Sequence, residues 1–143
     1  MNYTLEVITI PVSDVDRAKH FYQDQLGFSV DVDYAPTADF RVVQLTPPGS
    51  ACSIQFGIGL TGAEPGSVHN SYLVVSDIEK AQAELTEHGV TVSGPEHKNP
   101  VQAWAGDFAA GIEPDRTDYA SFLRVSDPDG NSWLIQERVH QVV

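Results

Sequence analysis

Cysteine, basic residues and long apolar runs are scarce in this chain. The one cysteine, Cys52, excludes an internal disulfide, and the N-terminal segment lacks the basic and apolar regions of a signal peptide, so we expect a cytoplasmic protein. Lys and Arg number 8 against 20 Asp and Glu, and no basic cluster exceeds two residues. We therefore expect neither nucleic acid nor a membrane as partner. No segment reaches the roughly 18 apolar residues that cross a bilayer.

What the chain does contain is one pattern written twice. VSDVDRAKHFYQDQLGF starts at Val12 and VSDIEKAQAELTEHGV starts at Val75, 63 positions later. Each copy predicts an amphipathic helix that begins after a serine N-cap, Ser13 or Ser76, with an acidic residue at the capping-box position. Each helix is predicted to end at a glycine, Gly27 or Gly89, because glycine readily adopts the left-handed conformation of a helix C-terminus.

β-Branched and aromatic segments surround both helices. One strand precedes each helix, and three are predicted to follow it: FSVDVDY, FRVVQL and CSIQFGIG in the first half, VTVSG, YASFLRV and SWLIQERV in the second. The turns PPGS and DPDGN join the last two strands of each half.

Both halves therefore read β-α-β-β-β, and the predicted class is α+β. We expect one domain over 1–143, made of a first module at about 1–62 and a second at about 68–143. Neither module is large enough to be stable alone. We expect the two to pair into a curved, mixed eight-stranded sheet with helices outside and a central pocket.

The segment 99–118 has no counterpart in the first half. It is rich in glycine, proline and alanine and holds Trp104 and Phe108. Because it is long for a connection, it is either a lid over the pocket or a surface excursion or dimer arm.

The paired VSD helices, the LGF that follows the first and the DPDGN before the last strand resemble the vicinal oxygen chelate superfamily, which includes glyoxalases, bleomycin-resistance proteins and ring-cleaving dioxygenases. The resemblance covers nearly the whole chain. It implies the fold described above, a homodimer, and a pocket that in metal-dependent members holds four His, Glu or Gln ligands.

Carried over by position, the resemblance places Val7, Gln55, Asn70 and Leu134 at the four ligand positions. The set has no imidazole and no carboxylate, so we expect no metal or other cofactor. A slip of one residue would reverse the strand faces and bring in Glu6, His69 and Ile135. Because Glu6 and His69 could bind a metal, a divalent ion stays the alternative. A slip of two in the last strand would place Gln136 opposite Gln55, but it supplies no carboxylate or imidazole.

Strand alternation and the resemblance extend the pocket lining to aromatic and polar side chains. The candidate ligand-binding residues are Val7, Gln55, His69, Asn70, Tyr72, Trp104, Phe122, Arg124, Leu134 and Gln136. Arg124 is either an anion clamp, a local salt-bridge partner or an outward-facing residue. His69 is either a solvated turn residue or an acid–base group.

Three functions are consistent with these patterns. The first is a glyoxalase/bleomycin-resistance-like protein that binds a small organic molecule between the modules without a catalytic metal. The alternative is a lyase, isomerase or thiol transferase of the glyoxalase or fosfomycin-resistance type, metal-dependent or metal-free. A third is a dimerisation module with no ligand. Catalytic residues are not assigned.

Overall fold

The computed structural model describes residues 1–100 and 106–139, and the chain divides into two compact units. The first unit contains Met1–His69 and Asp127–Asn131. The second contains Asn70–Ser126 and the chain from Ser132 onwards. The turn DPDGN thus belongs to the first unit, although the strands that it joins belong to the second.

The first unit holds a four-stranded mixed sheet in the order β1-β4-β3-β2. Its elements are β1 (Val7–Thr9), α1 (Val15–Lys19), a π-helical continuation (His20–Gln25), β2 (Ser29–Thr37), β3 (Phe40–Thr46) and β4 (Ser53–Ile58). β1 and β4 are parallel, and the other neighbours are antiparallel.

The second unit repeats this order with one strand more, in a sheet ordered β5-β9-β8-β6-β7. Its elements are β5 (Ser71–Val75), α2 (Ile78–Glu87), β6 (Glu96–Asn99), β7 (Asp107–Ala110), β8 (Ser121–Ser126) and β9 (Ser132–Glu137). The α+β class and the tandem modules are confirmed. The described strands form two sheets of four and five, whereas one sheet of eight was predicted. Strand β7 comes from the segment 99–118, which is therefore not wholly a loop.

The ends of the two helices differ from the prediction at the N-terminal side only. Gly27 and Gly89 have φ of +80° and +81°, so both predicted stops are confirmed. The predicted serine caps are wrong by one residue, because Asp14 and Asp77 are the N-caps. The Asp14 carboxylate accepts from the Arg17 backbone N–H at 3.0 Å, whereas the Ser13 hydroxyl donates to Asp129 at 2.5 Å.

The strand predicted at VTVSG is also wrong, because β6 begins only at Glu96. Val90 is used by the helix end, where its N–H donates to the Leu85 carbonyl at 2.9 Å. Pro95 has no N–H for a ladder. Ser93 bonds to β8 only at Arg124, where its backbone N–H donates to the carbonyl at 3.2 Å and its hydroxyl accepts from the N–H at 2.9 Å.

Each sheet has one buried face and one open face. In β3, Val43 and Leu45 are fully buried while their neighbours Val42 and Gln44 are partly exposed. In β8, Leu123 and Val125 are buried while Arg124 is exposed. This alternation is that of a strand packed on one side only, and helix α2 packs against β8 and β9. None of the described helices combines the length and the apolar character needed to span a membrane.

Candidate functional site

The open face of the second sheet brings together five of the predicted site residues. Tyr72 lies directly opposite Leu134 in the parallel pair of β5 and β9. In the antiparallel pair of β8 and β9, Arg124 lies opposite Leu134 and Phe122 opposite Gln136. Because residues paired across strands share a face of the sheet, all five project to the same side.

Three aromatic rings form a continuous row on this face. The ring centroids of Tyr72 and Phe122 are 6.4 Å apart with an interplanar angle of 85°, and those of Phe122 and Phe108 are 5.4 Å apart at 88°. Both pairs have the edge-to-face geometry that aromatic rings favour. Phe122 is buried at the centre of the row, whereas Tyr72 is 56% exposed.

Charged side chains flank the far end of the row. Glu96 and Lys98 on β6 share this face, since Glu96 is paired with Phe122 and Lys98 with Phe108. The Lys98 Nζ lies 4.2 Å from the Phe108 centroid, and the Arg124 guanidinium carbon lies 5.0 Å from it. Arg124 also forms an ion pair with Glu96. Of the three predicted roles of Arg124, the local salt bridge is the one formed in this structure.

Gln136 and Leu134 support the face rather than present groups to solvent. Both are at least nine-tenths buried. The Gln136 amide donates to the Tyr119 carbonyl at 3.1 Å, which ties β9 to the left-handed backbone of Tyr119 at φ +67°.

The open face of the first sheet carries the predicted residues Val7 and Gln55. Val7 lies opposite Ser53, and Thr9 lies opposite Gln55. The Gln55 amide donates to the Thr9 hydroxyl at 3.0 Å, and the Ser53 and Thr46 hydroxyls are 2.7 Å apart. The polar groups on this face therefore already bond to one another, and Thr46 also donates to the Asp31 carboxylate.

The other predicted residues lie outside both sheets. His69 and Asn70 are exposed in the segment before β5. Asn70 has φ of +59°, a conformation that asparagine tolerates better than most residues, and its N–H donates to the Ser132 hydroxyl at 2.9 Å. Trp104 lies outside the described residues. The predicted pocket between the modules stays a prediction.

The strand registers define which residues of the two modules are equivalent. Thr9 pairs with Gln55, and Tyr72, which is 63 positions after Thr9, pairs with Leu134. Leu134 is therefore the counterpart of Gln55, and Gln136 is not. Ile135, which the slip of one would require, pairs with Leu73 on the opposite face.

The residues at these equivalent positions do not fit a transition-metal centre. Val7 and Leu134 have no donor atom, and Gln55 and Asn70 offer only amide oxygens, which bind such ions weakly. Within residues 1–100 and 106–139, no group of three or more His, Cys, Asp and Glu side chains is arranged to hold a metal.

Sequence reasoning missed Phe108, Lys98 and Glu96 as members of the face. Phe108 was noticed only as part of a loop, and EHKN has no apolar alternation that would indicate a strand. A separate groove of about 280 Å³ lies beside α2 and contains none of the predicted site residues. It is lined by Val75, Ser76, Asp77, Lys80, Ala81 and Glu84.

The sequence model of the Glyoxalase/Bleomycin resistance protein/Dioxygenase superfamily matches residues 4–135. The chain belongs to this superfamily. No functionally curated protein matches the sequence of this superfamily member.

Solved structures of the superfamily are similar to this member over nearly its whole length. TnmS3, an antibiotic binding protein from Streptomyces sp. CB03234, is 26% identical with a TM-score of 0.71, and the match covers 95% of this chain and 96% of TnmS3. A glyoxalase/bleomycin resistance protein from the same organism is 27% identical, with coverages of 94% and 100% and a TM-score of 0.68. A superfamily member from Sphaerobacter thermophilus DSM 20745 is 28% identical, with coverages of 96% and 98% and a TM-score of 0.70.

Proposed function

We propose that this superfamily member binds a small aromatic molecule on the open face of its second sheet, without a catalytic metal. The observation that carries the proposal is the row of Tyr72, Phe122 and Phe108. The row is exposed at Tyr72, partly exposed at Phe108 and anchored by the buried Phe122. Aromatic rings beside charged groups are the composition expected of a ligand surface, where apolar area supplies affinity and a few polar groups supply orientation.

The row is suited to binding because its members are held in place before a ligand arrives. Phe122 is 2% exposed and contacts both other rings, so neither neighbour needs to be ordered on binding. Arg124 is restrained by Glu96 and lies beside Phe108. Pre-ordered side chains lose little conformational entropy when a ligand docks, which leaves more of the contact free energy as affinity.

Two further observations support binding rather than metal-dependent catalysis. The four positions that hold metal ligands in other superfamily members carry Val7, Gln55, Asn70 and Leu134 here. TnmS3, 26% identical, is described as an antibiotic binding protein. We propose by analogy that this protein sequesters an aromatic antibiotic or a molecule of similar chemistry. The cytoplasmic location and the homodimer stay predictions.

The test is equilibrium binding of a panel of aromatic antibiotics to chelator-treated protein, followed by thermal melting and titration calorimetry. A ligand at 100 times its Kd stabilises the folded state by about 2.7 kcal/mol, which raises the Tm of a domain this size by several degrees. We expect binding that is unchanged by added Zn²⁺, Ni²⁺, Mn²⁺ or Fe²⁺. Phe108→Leu should weaken it, because the ring is lost but the apolar volume is nearly kept.

Phe40→Leu is the matched control, since Phe40 is a partly exposed phenylalanine on β3 of the first sheet. It should leave the affinity unchanged. Two outcomes contradict the proposal: no panel member binds, or the purified protein holds stoichiometric metal and turns over a 2-oxoaldehyde hemithioacetal. The second outcome would favour the lyase.

A further inference from the structure

Lys98 is an unusual cation in this acidic chain. Six of the eight Lys and Arg residues form ion pairs with carboxylates. Arg138 is not paired with a carboxylate in this set; its guanidinium donates to the Tyr119 hydroxyl at 3.0 Å. Lys98 remains: within residues 1–100 and 106–139, no carboxylate oxygen lies within 4.0 Å of its Nζ. With 20 Asp and Glu in the chain, this is a departure that needs a physical reason.

A second cation, Arg124, lies near Lys98. Its ammonium lies over the Phe108 ring, which the Arg124 guanidinium also contacts. Glu96 is the one carboxylate paired with Arg124. Two cations and one carboxylate around a single ring leave a local surplus of positive charge, although the net charge of the chain is −12.

We infer that the ligand of the proposed site is an aromatic molecule that carries an acidic group, and that Lys98 binds that group. The inference rests on the proposed function and names its ligand class. Lys98 and Arg124 neighbour the same ring, so one ligand resting on Phe108 can reach both cations. The Lys98 side chain is partly exposed, so a ligand can reach its ammonium, and a charge-assisted hydrogen bond to a ligand anion would be among the stronger contacts of such a site.

If Lys98 has only a structural role, a different dependence of affinity on ligand charge is expected. If Lys98 only covers Phe108, its stem and its cation–π contact stabilise the strand pair β6–β7, and the charge of the ligand has no influence on affinity. Matched acids and amides separate the two roles, because the two compounds share one ring system and differ in charge.

The experiment measures Kd by titration calorimetry for three pairs of compounds: benzoate, 2-naphthoate and anthracene-2-carboxylate, each with its amide. We expect at least one acid to bind tenfold or more tightly than its amide. Lys98→Met should reduce this preference to less than twofold, whereas Lys98→Arg should retain most of it. The preference should also fall as salt rises from 50 to 500 mM.

Lys80→Met is the matched control, because Lys80 is an exposed lysine on α2 whose ion pair with Glu84 is at 4.0 Å. It should leave both affinities unchanged. Equal binding of acid and amide in all three pairs overturns the inference while the proposed aromatic site stands. If none of the six compounds binds, the result counts against both the inference and the proposed aromatic site. If Lys98→Met does not fold, retention of the preference in Lys98→Ala or Lys98→Gln would overturn the inference in the same way.

Discussion

The two sheets share the order of four strands and the register of the pairs around β4 and β9, but their open faces have different chemistry. Strand registers pair Thr9 with Gln55 in the first sheet and Tyr72 with Leu134 in the second. In the same way, Gln44 opposite Gln55 corresponds to Arg124 opposite Leu134. The first face combines amide and hydroxyl groups with aliphatic side chains and with Tyr34, which pairs with Val42. The second face carries three aromatic rings in contact with one another and ionised side chains beside them.

The faces that lie against the helices do not differ in this way. Val43 and Leu45 in β3 correspond to Leu123 and Val125 in β8, and all four are buried and aliphatic. The buried side of each sheet must be apolar to form a core, whichever module it belongs to. The open side has no such constraint, so its side chains can differ between the two copies of the module.

The largest effect is expected where the two sheets hold a glycine and a glutamine at equivalent places. Gly57 is the counterpart of Gln136, but a Cβ at residue 57 would lie 1.7 Å from the Arg41 carbonyl oxygen. Gly57→Ala should lower the free energy of unfolding by about 4 kcal/mol, because the β3 backbone would have to move. Urea denaturation measures this change.

Gly62→Ala is the control for this substitution, since a Cβ there meets no atom within 4 Å. It should leave stability unchanged or raise it by up to about 1 kcal/mol, because alanine has fewer unfolded conformations than glycine. Similar losses in both variants would contradict the close approach of the β3 backbone to residue 57.

The second-largest difference in stability is expected between the turns that join the last two strands of each module. In DPDGN, the buried Asn131 amide donates to the Pro11 carbonyl at 2.8 Å and accepts from the Val68 N–H at 3.1 Å. Asn131→Ala should cost about 3 kcal/mol, since the buried Asn131 side chain makes three hydrogen bonds, to Pro11, Val68 and Asp127, that are all lost. The measurement is again the free energy of unfolding in urea.

The turn PPGS provides the comparison for Asn131. Ser50 is exposed, and its hydroxyl donates to the Cys52 carbonyl at 3.0 Å. Ser50→Ala should cost at most about 0.5 kcal/mol. An equal cost in the two turns would contradict the structural role assigned to the DPDGN side chains.

A third difference lies at the end of β9, where Glu137 is the counterpart of the exposed Ile58 in β4. Glu137 is fully buried, accepts two hydrogen bonds from Arg116 at 2.8 and 2.5 Å, and accepts from the Ile78 N–H at 2.9 Å. The Arg116 guanidinium holds the pKa of Glu137 below its ordinary value of 4.5.

Glu137→Gln should lower the free energy of unfolding by about 2 kcal/mol at pH 7, because the charged partner of Arg116 is lost. The folded-state pKa is lowered, so this stabilisation is fully present above the unfolded pKa and is lost as pH falls through the folded one. The gap between wild type and variant should therefore narrow below pH 4.5. A gap that is constant between pH 7 and pH 3 would contradict the ionised pair.

Short sequence patterns predicted those features of the fold that neighbouring residues in the chain determine. The repeat predicted the module order and the glycines predicted the helix ends. Strand alternation placed Tyr72 on the pocket side, and the family resemblance placed Phe122 and Arg124 there. The serine caps failed because Ser13 binds Asp129, 116 residues away, and no local pattern encodes that contact. Strand β6–β7 was missed for a similar reason: EHKN has weak β propensity and is extended because it pairs with β7 and β8.

The smallest expected change in stability tests the difference between the open faces most directly. Tyr72→Thr places in the second sheet the residue type of its counterpart Thr9. Because Tyr72 is largely exposed, the free energy of unfolding should change by about 0.5 kcal/mol. Affinity for aromatic ligands should nevertheless fall about fivefold, since a ring contact contributes on the order of 1 kcal/mol. Tyr34→Thr is the control, because Tyr34 is 57% exposed on β2 of the first sheet and should not affect binding. If both tyrosines affect affinity equally, the ligand surface is not confined to the second sheet, and the open face of the first contributes as well.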